Sequence, residues 1–584
     1  MYLNNLRSIC FALTAIIFPA FAQSTPESWT PELQVLTKSL TTPRLSPDGK
    51  RVVYAVSHVV MTPDKSEYVL QLFLASVDGK ENMQITFGEK SSSNAKWSPD
   101  GKRIAFLSDR KDSRNKVYVL SFNGGDAQQL TNMKTAVIDF AWSPDGQSIA
   151  FVAPDAKSDA EEKDDKGKND AHWLDENWKR GRLYVVSAAV ATPSAPRGLT
   201  DGKSHVSGGF DWSPDGKLIA FSHSTSPSAN DWHSADISLV EVASGKVTPF
   251  AASPASETQP HFSPDGKSIA MRVSDVPARW AQAATIQLMS LADQRVTRLP
   301  ATHDAQPTIA RWSNDGKRLY FIEGHGVRTD TSYVDLAGNK IVSLQNAPAY
   351  FSDFSVSADG NTLAFVMQSP DRAPEVYVSA AASFAPVQLS RANADAPKLP
   401  IGKTEVVRWK SKDGSEIEGL LTYPVNYRAG EKVPLLLNIH GGPAGVFSLS
   451  YIAGRGNYPL ATFAARGYAV LRPNPRGSSG YGVAFRSGNI KDWGGADYQD
   501  LMTGVDHVIK MGVADANRLG VLGWSYGGYM TTWIVTQTNR FKAAVAGAPV
   551  TNLMSFTTTA DIPGFIPDYF QSQFWDNPPI YQKH

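Results

Sequence analysis

The chain has 584 residues, with 57 Lys+Arg against 56 Asp+Glu, a net charge of +1 and a single cysteine. That balance leaves no basic stripe for nucleic acid, and nucleic-acid partners are excluded. Cys10 falls inside a predicted export signal, so the rest of the chain holds no disulfide, no thiol nucleophile and no thiolate-bound metal; no cofactor is expected.

Taken in chain order, residues 1–22 read as that signal. Arg7 supplies the positive start, Ile9 to Phe18 form a short apolar run, and Ala20-Phe21-Ala22 is a small-x-small cleavage site. Export to the periplasm or medium, with cleavage near Ala22, is the expectation. The run is too short to span a bilayer, and nothing later approaches ~20 uninterrupted apolar residues, so no membrane span is expected. The length that remains exceeds one ordinary core.

Residues 23–395 carry an internal repeat after a short lead-in. Ser-Pro-Asp-Gly begins at Ser46, Ser98, Ser143, Ser213 and Ser263, then recurs as Ser-Asn-Asp-Gly from Ser313 and Ser-Ala-Asp-Gly from Ser357. A large apolar residue precedes each copy: Leu45, Trp97, Trp142, Trp212, Phe262, Trp312 and Val356. Pro presets φ and Asp-Gly tolerates a tight reversal, so each copy predicts a hairpin turn between two strands. A second strand pair follows in each unit, as at Val117 to Leu120 and Ile237 to Val240. Seven copies of a four-stranded unit at a period near 50 predict an all-β, seven-bladed propeller. A two-sheet sandwich would need seven in-phase turns by coincidence. The long gap between Ser143 and Ser213 marks an insertion, and its charged stretch 155–170 predicts a mobile surface loop. His172, Trp173 and Trp178 follow it, read as an ordinary blade strand in preference to a substrate-facing rim.

From 396 to 584 the pattern changes to strands alternating with helices. Val406 to Trp409 and Ile417 to Tyr423 predict an opening hairpin, and Val433 to Ile439 a strand buried on both faces. Helical spacing at 458–466, a strand from Tyr468 to Arg472, a helix at 497–511 and a strand from Leu519 to Leu522 complete an α/β order. That last strand runs into Gly523-Trp524-Ser525-Tyr526-Gly527-Gly528, with a helical stretch behind it. A G-x-S-x-G between strand and helix lifts the serine out of the sheet on a sharp turn, which makes Ser525 the candidate nucleophile. His440-Gly441-Gly442-Pro443 follows the strand ending at Ile439. Its glycines let backbone N–H groups approach a substrate carbonyl, and with Tyr526 N–H they form a candidate oxyanion hole. His440 is read as shaping that loop, together with Gly441 and Pro443, and not as the base.

These motifs together, with Asn474-Pro475-Arg476-Gly477-Ser478-Ser479-Gly480-Tyr481-Gly482 between them, resemble the prolyl oligopeptidase family, nearest its acylaminoacyl-peptidase and exported dipeptidyl-peptidase branch. The resemblance spans nearly all of the chain after the signal. It implies a propeller capping an α/β-hydrolase domain, short peptides as substrates, Ser525 as nucleophile, and oxyanion donors on Tyr526 and Gly442. It also implies a triad Asp and His well downstream of Ser525. After Ser525 the candidates are Asp561, Asp568, Asp576 and His584, none beyond an identifiable strand. The expectation is a C-terminally truncated hydrolase domain whose triad Asp and His lie beyond the end of this chain. The leading function is therefore a serine peptidase acting through an acyl-enzyme. Alternatives are a catalytically inactive propeller that binds peptides, or an esterase. Peptide specificity and oligomeric state stay open.

Overall fold

The seven Ser-x-Asp-Gly turns close by one shared pattern of hydrogen bonds. In each, the serine Oγ donates to the aspartate Oδ1 two residues on, at 2.5–2.7 Å. The same Oδ1 accepts the backbone N–H just beyond the turn, from Lys50 in the first copy to Asn361 in the last. The serine Oγ in turn accepts the N–H of the residue that opens the next strand. The closing glycine sits at φ between +67° and +74°, a conformation costly for any other residue.

Each turn joins the first two strands of a four-stranded antiparallel sheet drawn from one continuous stretch of chain, and seven such sheets follow one another between residues 39 and 388. This is a computed structural model that describes residues 27–584 apart from 170, 172, 174, 190–193 and 346. The predicted signal over 1–22 and His172 lie outside the described residues.

At three of the seven turns the tryptophan before the turn staples its blade to the preceding one. Trp97, Trp142 and Trp312 donate their indole N–H to Arg44, Lys96 and His261 carbonyls in the preceding blade, at 2.9–3.0 Å. The bare face of five of the seven turn glycines also lies on the proline of the preceding turn, as Gly101 does on Pro47 and Gly146 on Pro99. The ring closes by packing Leu40, Val52 and Tyr54 of the first blade against Ala364, Val366 and Val376 of the last. Asn393 bonds both the N–H and the carbonyl of Lys38 across that joint.

Two features of this region depart from the sequence reading. In six blades the innermost strand slips register, for example between Thr41 and Arg44 and between Ser93 and Lys96. These bulges hold Thr42, Asn94, Gln259 and Asp353 at φ of +50° to +54°. The charged stretch 155–170 is not a plain loop: Asp159–Lys166 forms helix α2, after α1 at Pro31–Val35. Ser158 and Glu161 cap it reciprocally, and Lys179 pairs with Glu161 at 2.7 Å. Local capping thus orders a segment that buries no residue of its own helix.

The second domain is built on a six-stranded sheet. Its strands are β1 (Thr404–Lys410), β2 (Glu416–Thr422), β3 (Val433–Ile439), β4 (Ala469–Asn474), β5 (Ala514–Trp524) and β6 (Phe541–Gly547). They lie in the order β1-β2-β4-β3-β5-β6. The opening hairpin and β2–β4 are antiparallel, and the rest are parallel. Helices α3 (Leu460–Ala465), α4 (Ala496–Lys510) and α5 (Tyr526–Gln537) connect them. Near the end of the chain lie two short helices, Phe565–Phe570 and Pro578–Lys583, packed on the core through Ile566, Tyr569, Phe570 and Tyr581.

Contacts at several places fix the domains to each other, among them three that bury a large side chain or a charge. Trp29 of the lead-in is fully buried against Ile452, Ala453 and Ala461 of the hydrolase domain. Arg455 reaches back to Thr37 and Ser57 in the propeller. Arg486 pairs with Asp304 at 2.9 Å, both at most 2% exposed, and Asp304 also accepts the Gly482 N–H.

Candidate active site

Strand β5 ends at Trp524 and α5 begins at Tyr526, leaving Ser525 alone in the turn at φ +59°, ψ −120°. A non-glycine residue in that region stores strain, and the surrounding glycines explain how it is held. A Cβ on Gly523 would stand 2.3 Å from the Gly527 carbonyl oxygen. One on Gly527 would stand 2.2 Å from that of Ile439, and one on Gly528 would stand 2.5 Å from that of Gly547. Only bare backbone lets β3, β5, β6 and the start of α5 meet this closely. Ser525 N–H donates to Gly547 O at 2.9 Å, tying the turn to the end of β6.

The His440–Pro443 loop runs alongside. A methyl placed on Gly441 would lie 3.3 Å from Ser525 Cβ and 3.9 Å from its Oγ. Gly442 is exposed, at φ +131°, with the neighbouring Ala444 and Gly445 nitrogens where a Cβ would sit. Pro443 is buried behind it. Among the described residues neither the Gly442 nor the Tyr526 N–H finds a protein acceptor. Tyr526 occupies the first turn of α5, where backbone donors are left over and the helix dipole favours negative charge.

His440 points away from the serine. Its nitrogens lie 2.8 Å from Gly441 O and 3.0 Å from Ser478 Oγ, and Phe447 packs edge-on at 5.3 Å. Burial pushes its pKa down to about 4, so it is neutral near pH 7. Of the candidates after Ser525, Asp568 accepts the Trp280 N–H of the propeller at 2.9 Å. His584 bonds the Trp493 carbonyl through Nδ1 and stacks on Phe570. Among the described residues no imidazole is hydrogen-bonded to Ser525 Oγ. The structure therefore brings Ser525, Tyr526 and Gly441 together and leaves His440 facing its own loop.

Sequence reasoning missed the support behind this surface. Asp497 and Asp500 on α4 are both fully buried. Asp497 accepts the Tyr526 hydroxyl and the Tyr498 N–H, and burial raises its pKa to about 7. Asp500 takes the Arg476 guanidinium in a two-pronged contact at 2.7 and 2.9 Å and also its backbone N–H at 2.9 Å. The third arm of Arg476 bonds Asp413 in the β1–β2 turn at 2.7 Å. Arg476 is thus a clamp between the signature loop, α4 and the opening hairpin. The signal was present: Asp497 and Asp500 fall on the same helical face as Leu501, Val505 and Val508, where acids need buried partners.

A cavity of about 620 Å³ opens between the propeller rim and residues 563–568, lined by Trp178, Trp232, Trp280, Asp231 and Asp568. Aromatic contacts run from Trp280 through Phe565 and Trp493 to Tyr526. Among the described residues no cluster of His, Cys, Asp and Glu is arranged to hold a metal, and no helix is long and apolar enough to cross a membrane.

Comparison with known proteins agrees with this geometry. Residues 457–584 match the prolyl oligopeptidase family, and residues 32–179 and 192–419 match the TolB β-propeller domain. An uncharacterized peptidase of Bacillus subtilis, YuxL, is 31% identical over 93% of this chain and 86% of its own length. Dipeptidyl-peptidase 5 of Porphyromonas gingivalis is 30% identical over 94% of this chain and 83% of its own. The solved structure of Pyrococcus horikoshii acylaminoacyl peptidase superposes with a TM-score of 0.77 at 20% identity, covering 95% of this chain and 84% of that one.

Proposed function

The chain belongs to the prolyl oligopeptidase family of serine peptidases, and from that premise we propose that Ser525 is the nucleophile that cleaves short peptides through an acyl-enzyme. The observation that carries this reading is Ser525 at φ +59° on the strand–helix turn, with the Gly441 backbone beside it and the Tyr526 N–H free. The serine Oγ attacks the scissile carbonyl carbon, its proton passes through a base to the leaving amine, and water then splits the resulting ester. Tyr526 N–H and Gly442 N–H stabilise the oxyanion, each donor contributing roughly 10²–10³ in rate. His440, Gly441 and Pro443 hold the loop that presents Gly442. The base is a histidine other than His440, whose buried ring is occupied by its own loop.

Two further points follow as part of the same proposal. The cavity lined by Trp178, Trp232 and Trp280 is the space that receives the peptide, because aromatic walls with a few acidic groups suit an amphipathic chain. The protein acts outside the cytoplasm, a reading that rests on the export signal read over 1–22.

The test is labelling with a fluorophosphonate probe, alongside turnover of acylated and dipeptidyl chromogenic peptides, with free imidazole added as an external base. Labelling that disappears in Ser525→Ala is expected. Labelling that persists at full rate in that variant would sink the assignment. One observation favours a second reading, a peptide-binding protein without turnover: among the described residues no imidazole is hydrogen-bonded to Ser525 Oγ, and His440 and His584 bond the Gly441 and Trp493 carbonyls instead. Peptide binding to the Ser525→Ala variant, with no labelling of the parent even in imidazole, would decide for it.

A further inference from the structure

The face of the hydrolase sheet beneath the loop 441–459 holds an unpaired charge. Arg472 on β4 is 2% exposed. Its one side-chain hydrogen bond among the described residues is long, Nη2 donating to Thr422 Oγ1 at 3.4 Å, while Nε is buried with no acceptor. The Phe447 ring lies 5.8 Å from the guanidinium carbon. Burial pulls the Arg472 pKa down to about 10, and no acidic group opposes that shift.

On the next strand, Asn438 of β3 is 0% exposed, and among the described residues neither its Oδ1 nor its Nδ2 has a partner. The two residues are neighbours by register. The β3–β4 ladder pairs Leu435 with Ala469, Leu436 with Val470 and Leu437 with Leu471, so one more step sets Asn438 beside Arg472 on the same face. The ladder stops at that step. Beyond it β3 continues against β5 to the Ile439–Gly523 pair, and β4 continues against β2 to the Asn474–Glu418 pair. The two strands therefore part where these side chains stand. Phe447 roofs the gap, and its own N–H and carbonyl are clasped by Asn474 at 2.7 and 3.0 Å.

Buried charges in proteins are paired, because desolvation is otherwise uncompensated. Water can satisfy the idle donors but cannot neutralise the guanidinium. An occupant here needs a negative charge, acceptor capacity for N–H groups from two sides, and small size. We propose that Arg472 and Asn438 hold a buried monovalent anion of halide size between β3 and β4, under the Phe447 loop. The proposal is independent of the role of Ser525.

Crystals of the full chain grown in bromide would be examined at the bromine absorption edge, with an anomalous peak expected within hydrogen-bond reach of Arg472 and Asn438. In solution, replacing gluconate by chloride or bromide at constant ionic strength should raise Tm, by on the order of 5 °C at saturation. Arg472→Met, which keeps the volume and removes the charge, should abolish that halide dependence. If Arg472→Met does not fold, the anomalous map of the parent chain still decides. The proposal is overturned by a bromide map with no peak there, showing only water or a direct Arg472–Asn438 hydrogen bond. A Tm indifferent to halide overturns it equally.

Discussion

The propeller and the hydrolase domain keep their structure by opposite means. In the propeller one device is repeated seven times, a serine, an aspartate and a glycine that close every turn with the same bonds, and at three of the turns an indole also staples one blade to the next. Loss of one copy leaves six. In the hydrolase domain each device occurs once. Gly527 admits β3 to the elbow, Arg476 clamps three segments, and Arg486 pairs with Asp304 across the domain boundary. Stability in the first region is a sum of interchangeable terms, as in other repeat architectures. In the second it depends on particular side chains, which is where a site needing sub-ångström placement is best built.

The sharpest way to break that contrast is a single methyl group on each side. Gly527→Ala sets a Cβ 2.2 Å from the Ile439 oxygen and 2.9 Å from that of His440, both backbone atoms that cannot move aside. A loss of about 4 kcal/mol or more is expected, read as collapse of the urea midpoint or of soluble yield. Gly124→Ala in the second blade meets nothing within 4 Å and suffers only its φ of +104°. About 1–3 kcal/mol is expected there. Equal losses at the two positions would refute the comparison.

The same contrast governs how much could be read from sequence. The propeller was legible because a motif repeated in phase reports its own period, and Leu45, Trp142 and Trp312 announce their inward position. The register slips in its inner strands were not legible. Thr42, Asn94 and Gln259 share no residue type, and their positive φ is imposed by the ring and not by local preference. In the hydrolase domain, the strand–helix context of Ser525 was plain from the glycines. The partners of Arg476 and Tyr526 were not, because Asp413, Asp497 and Asp500 reach them only through tertiary packing.

Across the boundary between the regions, Asp304→Ala should cost about 3–5 kcal/mol, since it strands the buried Arg486 charge. Combining it with Arg486→Met should cost much less than the two single changes added together. Strict additivity in that double-mutant cycle would show that the pair is not coupled.

Within the hydrolase domain a pH profile sharpens the picture. Asp497 titrates at about 7 when folded, against about 3.9 in an unfolded chain, because burial disfavours its charge. The folded state therefore binds this proton more tightly. Its contribution is complete below about pH 4 and is lost as pH rises through about 7, at about 1.4 kcal/mol per unit and up to about 4 kcal/mol in all. Asp497→Asn should flatten that part of the stability curve while keeping an acceptor for Tyr526. An unchanged slope in the variant would assign the pH dependence to other groups.

The smallest effect tests the propeller against itself. Trp142 donates its indole N–H to the Lys96 carbonyl at 3.0 Å, whereas the buried indole nitrogen of Trp212, at the equivalent place in the next blade, has no acceptor among the described residues. The inner strand of Trp142's own blade, Asp139–Trp142, which Trp212 borders, pairs without the register slip its six counterparts show. Trp142→Phe should cost about 1 kcal/mol more than Trp212→Phe, because one change removes a hydrogen bond and the other removes an unsatisfied donor. Both substitutions lose similar ring area, so the difference in denaturant midpoint isolates the staple. If Trp212→Phe proves the costlier, indole hydrogen bonds are not what couples neighbouring blades, and packing of the aromatic ring alone must do so.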